Sequence, residues 1–275
     1  MKNSTKIILG AASLLSVATV ALADDAPAPP PGILGPDFTV SAYVALQSDY
    51  RFRGISQNAR EPAEQGSLNI SGPDGFYVGT WVSKINWSGS EGAVLGPNNP
   101  SLEVDIYGGK HTDLWGTDLN IEAYEYSYPD AKTQGIGIPN ASYFEMITQL
   151  SHTFGPLAVT GTWAYSPEFT LAGGTGNYLE GTLAYTINDW LAVSGNVGHQ
   201  WVQNAKYALG GATGDYTHAD FGATLTYKAI SLDLRYATTD MNYATCSYYM
   251  LETNNHPCSG GFVATLTYNI SPFPW

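Results

Sequence analysis

From residue 102 onward, apolar side chains recur at every second position, and the connections between these runs are alternately short and long. Leu102, Val104 and Ile106 alternate with Glu103, Asp105 and Tyr107. Leu119, Ile121 and Ala123 alternate with Asn120, Glu122 and Tyr124, and Phe144, Met146 and Leu150 with Glu145, Ile147 and Gln149. The same period returns around Glu180, around Asn196, around Asp220, around Asp233 and Arg235, and finally from Phe262 to Ile270. A period of two places each set on one face of a strand. Gly155-Pro156, Asn188-Asp189 and Lys228-Ala229 make tight turns. Residues 88–100, 128–141, 166–176, 203–215 and 238–260 make long polar connections. A soluble β-sandwich also alternates along its strands. Length asymmetry locked to strand parity is harder to obtain that way, because it gathers every long connection at one end. The expected fold is all-β: a transmembrane antiparallel up-and-down β-barrel of about 12 strands with both termini periplasmic.

Composition agrees with strands and turns rather than helices. The 275 residues include 19 tyrosines, seven tryptophans and 30 glycines, with few charges. Beyond residue 23 no apolar run has the length of a membrane-crossing helix, so a membrane location requires a closed barrel. Lys and Arg number 11 against 24 Asp and Glu, a net charge of -13. Nucleic acid is therefore not an expected partner, since binding it rests on cationic contacts to phosphates. No metal site and no cofactor are expected either.

The N-terminus has the features of a secretory signal peptide over residues 1–23. Lys2 and Lys6 precede an apolar stretch, and Ala21-Leu22-Ala23 comes before Asp24. Residues 24–37 form a proline-rich spacer on the periplasmic side, and residues 38–275 form the barrel.

The first strand leads into Ser48-Asp49-Tyr50-Arg51-Phe52-Arg53-Gly54-Ile55-Ser56-Gln57, where two of the few arginines alternate with aromatics. Read as one continuous strand, it directs Asp49, Arg51 and Arg53 to the lumen near the outer mouth and Tyr50 and Phe52 to the lipid-facing girdle. The S-D-Y-x-x-R-G-x-S-Q pattern is followed by Pro62-Ala63, by Gly66, and by the G-F-Y-V-G-T-W run that starts at Gly75. Together these resemble the TorF porin family of proteobacteria. The resemblance implies an outer-membrane barrel with a pore role in a Gram-negative cell. The C-terminal region departs from a barrel pattern: Pro272 and Pro274 interrupt the alternation before Trp275, so the last strand is expected to stop near Ile270.

The side chains expected to line or constrict the lumen are Asp49, Arg51, Arg53, Glu103, Asp105, Glu122, Glu145, Glu180, Asp220, Asp233 and Arg235. An arginine cluster facing carboxylates would set ion selectivity; the same groups could instead pair to hold the wall and fill the lumen. Tyr43, Tyr107, Tyr124 and Tyr126 have two readings as well, a slide for sugar-like solutes or ordinary girdle and inner packing. Cys246 and Cys258 share the last long connection, and two cysteines in an exported chain point to a disulfide. The expected function is passive passage of small hydrophilic solutes or ions through a porin-like channel. Its expected partners are outer-membrane lipid, the barrel assembly machinery and the solutes themselves. The alternatives are a structural or adhesive barrel with a plugged lumen and, more remotely, a barrel lipid hydrolase. None of His111, His152, His199, His218 and His256 has a serine spaced to share its strand face, so no hydrolytic pair is evident and an enzyme is not expected.

Overall fold

The structure is a computed structural model. It describes residues 37–87, 100–129, 131, 141–169, 174–203, 215–250 and 256–270. The expected signal peptide, nearly all of the expected spacer, and the C-terminal Pro272, Pro274 and Trp275 lie outside the described residues.

Twelve antiparallel strands close into a barrel, and the alternating sets of the sequence become its two faces. The strands are β1 (Thr39–Gln47), β4 (Ala63–Ser71), β5 (Phe76–Lys84), β6 (Leu102–Leu114), β7 (Thr117–Ser127), β8 (Tyr143–Phe154), β9 (Leu157–Ser166), β10 (Thr175–Asn188), β11 (Leu191–Gln203), β12 (Tyr216–Tyr227), β13 (Ile230–Thr239) and β14 (Gly261–Ile270). Each pairs with its neighbours in sequence order, and β1 closes the ring by pairing β14 on one side and β4 on the other. Closure removes the free sheet edges that would otherwise expose backbone donors and acceptors to lipid.

The outer surface is a belt of apolar side chains. Val44, Leu68, Ile106, Leu150, Leu183, Val197, Leu234 and Leu266 all face outward and are exposed. Trp115, Phe154, Trp190 and Tyr227 stand exposed beside the short turns, where an aromatic girdle belongs in a membrane barrel. The β6–β7 turn is tighter than the sequence implied. Strand pairing continues to Leu114 and resumes at Thr117 because Trp115 and Gly116 both adopt positive φ, the geometry of a two-residue hairpin turn.

The stretch after Gln47 corrects the continuous-strand expectation. The chain leaves the wall and folds inward as a small hairpin, β2 (Arg51–Phe52) paired with β3 (Ile55–Ser56). Arg53 and Gly54 form its turn with φ of 47° and 83°. Tyr50 and Phe52 therefore do not belong to the girdle. Tyr50 is buried against Trp81, ring centroids 5.3 Å apart, and Phe52 meets Tyr126 edge-on at 5.6 Å. Local polar groups satisfy the backbone that strand pairing leaves free. The Tyr50 amide donates to Asn58 Oδ1, and the Gln57 amide to the Tyr50 carbonyl. The Ser56 amide donates to the Pro257 carbonyl.

A second feature absent from the sequence reading is α1 (Tyr243–Met250), inside the last long connection. Asn242 Oδ1 accepts from the Thr245 amide, as an N-cap side chain does. Cys246, in this helix, forms a disulfide with Cys258. The bridge packs with Tyr216 over Ile55 of the hairpin.

Candidate functional site: a hairpin across the lumen

The inward hairpin reaches the opposite side of the barrel. Going round the ring from β1 in either direction, β9 is the strand opposite, flanked by β8 and β10. From the hairpin tip, Arg53 reaches that far wall. Its Nη2 and Nη1 donate to Glu145 on β8 at 2.7 and 3.1 Å, and its Nη1 also donates to Gln200 Oε1 on β11 at 2.5 Å. The guanidinium lies over the Tyr178 ring of β10, 3.8 Å from the centroid. Both members of the ion pair have side chains only 1% exposed. A buried charge is tolerated when paired and hydrogen-bonded in this way, and losing one partner typically costs about 3–5 kcal/mol.

Two glycines make the tip fit. A Cβ on Gly54 would stand 2.8 Å from both His218 Cβ and Thr239 Cγ2, and its φ is one that side chains rarely adopt. A Cβ on Gly198 would stand 2.5 Å from His218 Nε2 and 2.7 Å from the Tyr178 hydroxyl, closing the space in which those two groups meet.

The root of the hairpin is held by its own side chains and by the last long connection. Asp49 accepts from Arg51 Nε at 2.7 Å and from the Ser56 hydroxyl at 2.6 Å. Arg51 Nη1 donates to the carbonyl of Gly54 and, at 2.8 Å, to that of Ser259, next to the disulfide.

The hairpin divides the lumen into two unlike halves. Against β5–β9 the space is filled by rings. Tyr107 and Tyr124 stack at 5.0 Å and Tyr126 and Tyr143 at 4.4 Å, and all four are buried. Of the two readings of these tyrosines, the structure has inner packing, with Tyr43 resting partly buried on the same cluster. Glu103, Asp105 and Glu122 belong to this half and meet no arginine. They accept from the hydroxyls of Tyr128, Tyr124 and Tyr77, respectively.

Against β10–β14 the interior is charged. Arg235 donates to Asp220 at 2.6 Å and through Nε and Nη2 to Asp233 at 2.5 and 2.9 Å. Asn196 Nδ2 donates to the other Asp220 oxygen at 2.7 Å, and the Thr224 hydroxyl to Asp233. Glu180 accepts from the hydroxyls of Tyr178 and Thr182, with His218 Nε2 3.8 Å away. A cavity of about 20 Å³ separates this network from the hairpin. By that measure it holds about one water.

All eleven sequence-derived positions thus lie inside the barrel, but only Asp49, Arg51, Arg53, Glu145, Glu180, Asp220, Asp233 and Arg235 gather around the hairpin. Tyr178, Asn196, Gln200 and His218 complete the site without having been expected in the lumen, His218 having been weighed only for a hydrolytic pair. Their signal was available: each occupies an inward position by the strand period, on the same strand as Glu180 or Asp220 or on β11 between them. Among the described residues no set of three His, Cys, Asp or Glu side chains is placed to hold a metal ion.

A family model described as a bacterial protein of unknown function, Gcw_chp, matches residues 34–265. The chain belongs to the Gcw_chp family. No curated protein matches it significantly. The fold of this Gcw_chp protein is similar to that of the KdgM porin in complex with disordered oligogalacturonate, with a TM-score of 0.51 and 6% identity over 83% of this chain and 98% of that one. The COG4313 outer membrane channel from Pseudomonas putida F1 matches with a TM-score of 0.45 and 13% identity, over 84% and 94% of the two chains. At these identities the likeness concerns the barrel itself.

Proposed function

We propose that this Gcw_chp protein is an outer-membrane porin-like channel, passing ions or small hydrophilic solutes passively through a lumen that the β2–β3 hairpin narrows. The observation that carries this reading is the distribution of charge. A closed barrel wears an apolar belt outside and holds ion pairs inside, and polar side chains on its inner face persist toward the short-turn end, where Ser194, Thr267 and Asn269 are partly exposed. The resemblance of residues 48–57 to TorF porins, and a barrel neighbour described as a porin, support the same reading. It carries with it export through residues 1–23 and both termini on the periplasmic side, with the short turns. Outer-membrane lipid and the barrel assembly machinery are then its partners in the envelope.

The test is reconstitution in planar bilayers. Wild type should show small single-channel steps, and a variant with residues 49–57 replaced by a Gly-Ser linker should show larger ones. Silence from both would end the channel reading.

A second reading, a structural or adhesive barrel with a plugged lumen, is favoured by one specific observation: stacked tyrosines fill one side of the hairpin, and the cavity on its other side holds about one water. That reading expects no current even when the hairpin is gone.

A further inference from the structure

The hairpin has two chemically different faces. Tyr50 and Phe52 turn toward the ring-filled half, where Trp81 and Tyr126 receive them. Arg51 turns toward β14 and the last connection, and borders the cavity together with Asn196, His218, Asp220, Arg235 and Val263.

The first half offers no polar passage. Its rings stack at contact distance, and its carboxylates are capped by tyrosine hydroxyls. Glu103 Oε2 and Asp105 Oδ1 are buried in that half without a protein partner, and the cavity side differs in gathering residues with such atoms around one space. Arg51 Nη2, Arg53 Nε, Asn196 Oδ1 and His218 Nδ1 are buried polar atoms with no protein partner, and all four residues line this one cavity. Buried polar atoms in native proteins are nearly always satisfied, by protein, water or ions. A space bordered by four such atoms is one that water or a small ion fills.

The side chains that line it carry charges of both signs, with Glu180 and Asp220 beside Arg51, Arg53 and Arg235, so this side of the hairpin presents a polar, charged surface.

We infer that permeation follows one side of the hairpin alone, through a slot between Arg51–Gly54 and β11–β14. The inference rests on the channel reading above and specifies its path.

The experiment uses introduced thiols in the full-length protein. Both native cysteines are held in one disulfide, so a new cysteine is the only free thiol. Val263→Cys and Ala237→Cys place it at the cavity, and Ala164→Cys places it in the ring-filled half. A positively charged methanethiosulfonate reagent should reduce single-channel current several-fold at the first two and leave the third unchanged. In a KCl gradient Asp220→Asn should lower the cation-to-anion permeability ratio, whereas Glu103→Gln should not.

Current that responds at Ala164→Cys but at neither cavity position would overturn the one-sided path while leaving the channel standing. So would a selectivity that follows Glu103 rather than Asp220. A protein silent in every variant, with the Gly-Ser replacement included, would overturn the channel reading and this inference with it. Folding of each variant is checked independently by the shift in electrophoretic mobility between unheated and heated samples.

Discussion

Arg53 and Glu145, 92 positions apart in the chain, meet across the barrel through two hydrogen bonds of 2.7 and 3.1 Å. This contact ties a hairpin that springs from β1 to a strand next to the one opposite, and it turns a local turn into a bar across the lumen. Replacing Arg53 with alanine leaves the Glu145 carboxylate buried without its cation. The expected loss is about 3–5 kcal/mol in equilibrium unfolding from lipid vesicles. The companion change Glu145→Gln should lose less, since a neutral amide can still accept from Arg53. A double-mutant cycle that gives a coupling energy near zero would show that the pair does not hold the bar.

Gly54 is the second pin. Gly54→Ala keeps every hydrogen-bonding group but forces a side chain into positive φ and against His218 and Thr239. A destabilisation of about 1–3 kcal/mol follows from the backbone alone. Because the tip must shift, single-channel steps should also become larger or noisier than those of wild type. Wild-type stability together with wild-type current would contradict the wedged geometry.

The disulfide acts on the hairpin from outside. Pro257 and Ser259 flank Cys258 and accept hydrogen bonds from Ser56 and Arg51. Replacing both Cys246 and Cys258 with serine should lower stability by about 3 kcal/mol, the order expected for a closed loop of this size. Limited proteolysis should then nick residues 240–260 sooner, and channel closures should lengthen or shorten together with it. Unchanged gating with faster nicking would confine the bridge to bracing its own loop.

On the outer wall, Leu183 and Val197 are exposed apolar positions on β10 and β11. Arginine at either should cost about 2–4 kcal/mol in refolding into lipid vesicles if it sits near the bilayer midplane. Thr226→Arg, on the inner face near the short turns, should cost far less. Equal costs at the two faces would contradict a lipid-facing belt.

Much of this was legible from residue order. A side-chain period of two sorts Leu183 from Glu180 and Leu234 from Asp233 whatever the partner strand, because adjacent residues of any strand point to opposite faces. Turn and loop lengths then sort the connections between the two ends of the barrel. The inner half-site was only partly legible. Asp220, Asp233 and Arg235 share inward faces on neighbouring strands, so their proximity could be anticipated, but nothing local connects Arg53 to Glu145, Gln200 or Tyr178.

The arginine–aromatic alternation of residues 49–53 shows where the boundary lies. The order of residues alone establishes that Arg51 and the ring pair Tyr50 and Phe52 belong to different surroundings, and this is what is found. What those surroundings are was decided by tertiary structure. A continuous strand would have set lipid against lumen; a turn at Arg53-Gly54 instead sets one half of the lumen against the other. The reason is that a two-residue turn is encoded weakly, by one glycine whose close approach to His218 and Thr239 exists only after β12 and β13 are in place. Period and turn chemistry act between neighbours and can be read along the chain. The ion pair that holds the bar requires the barrel to have closed, and closure is a property of all twelve strands together.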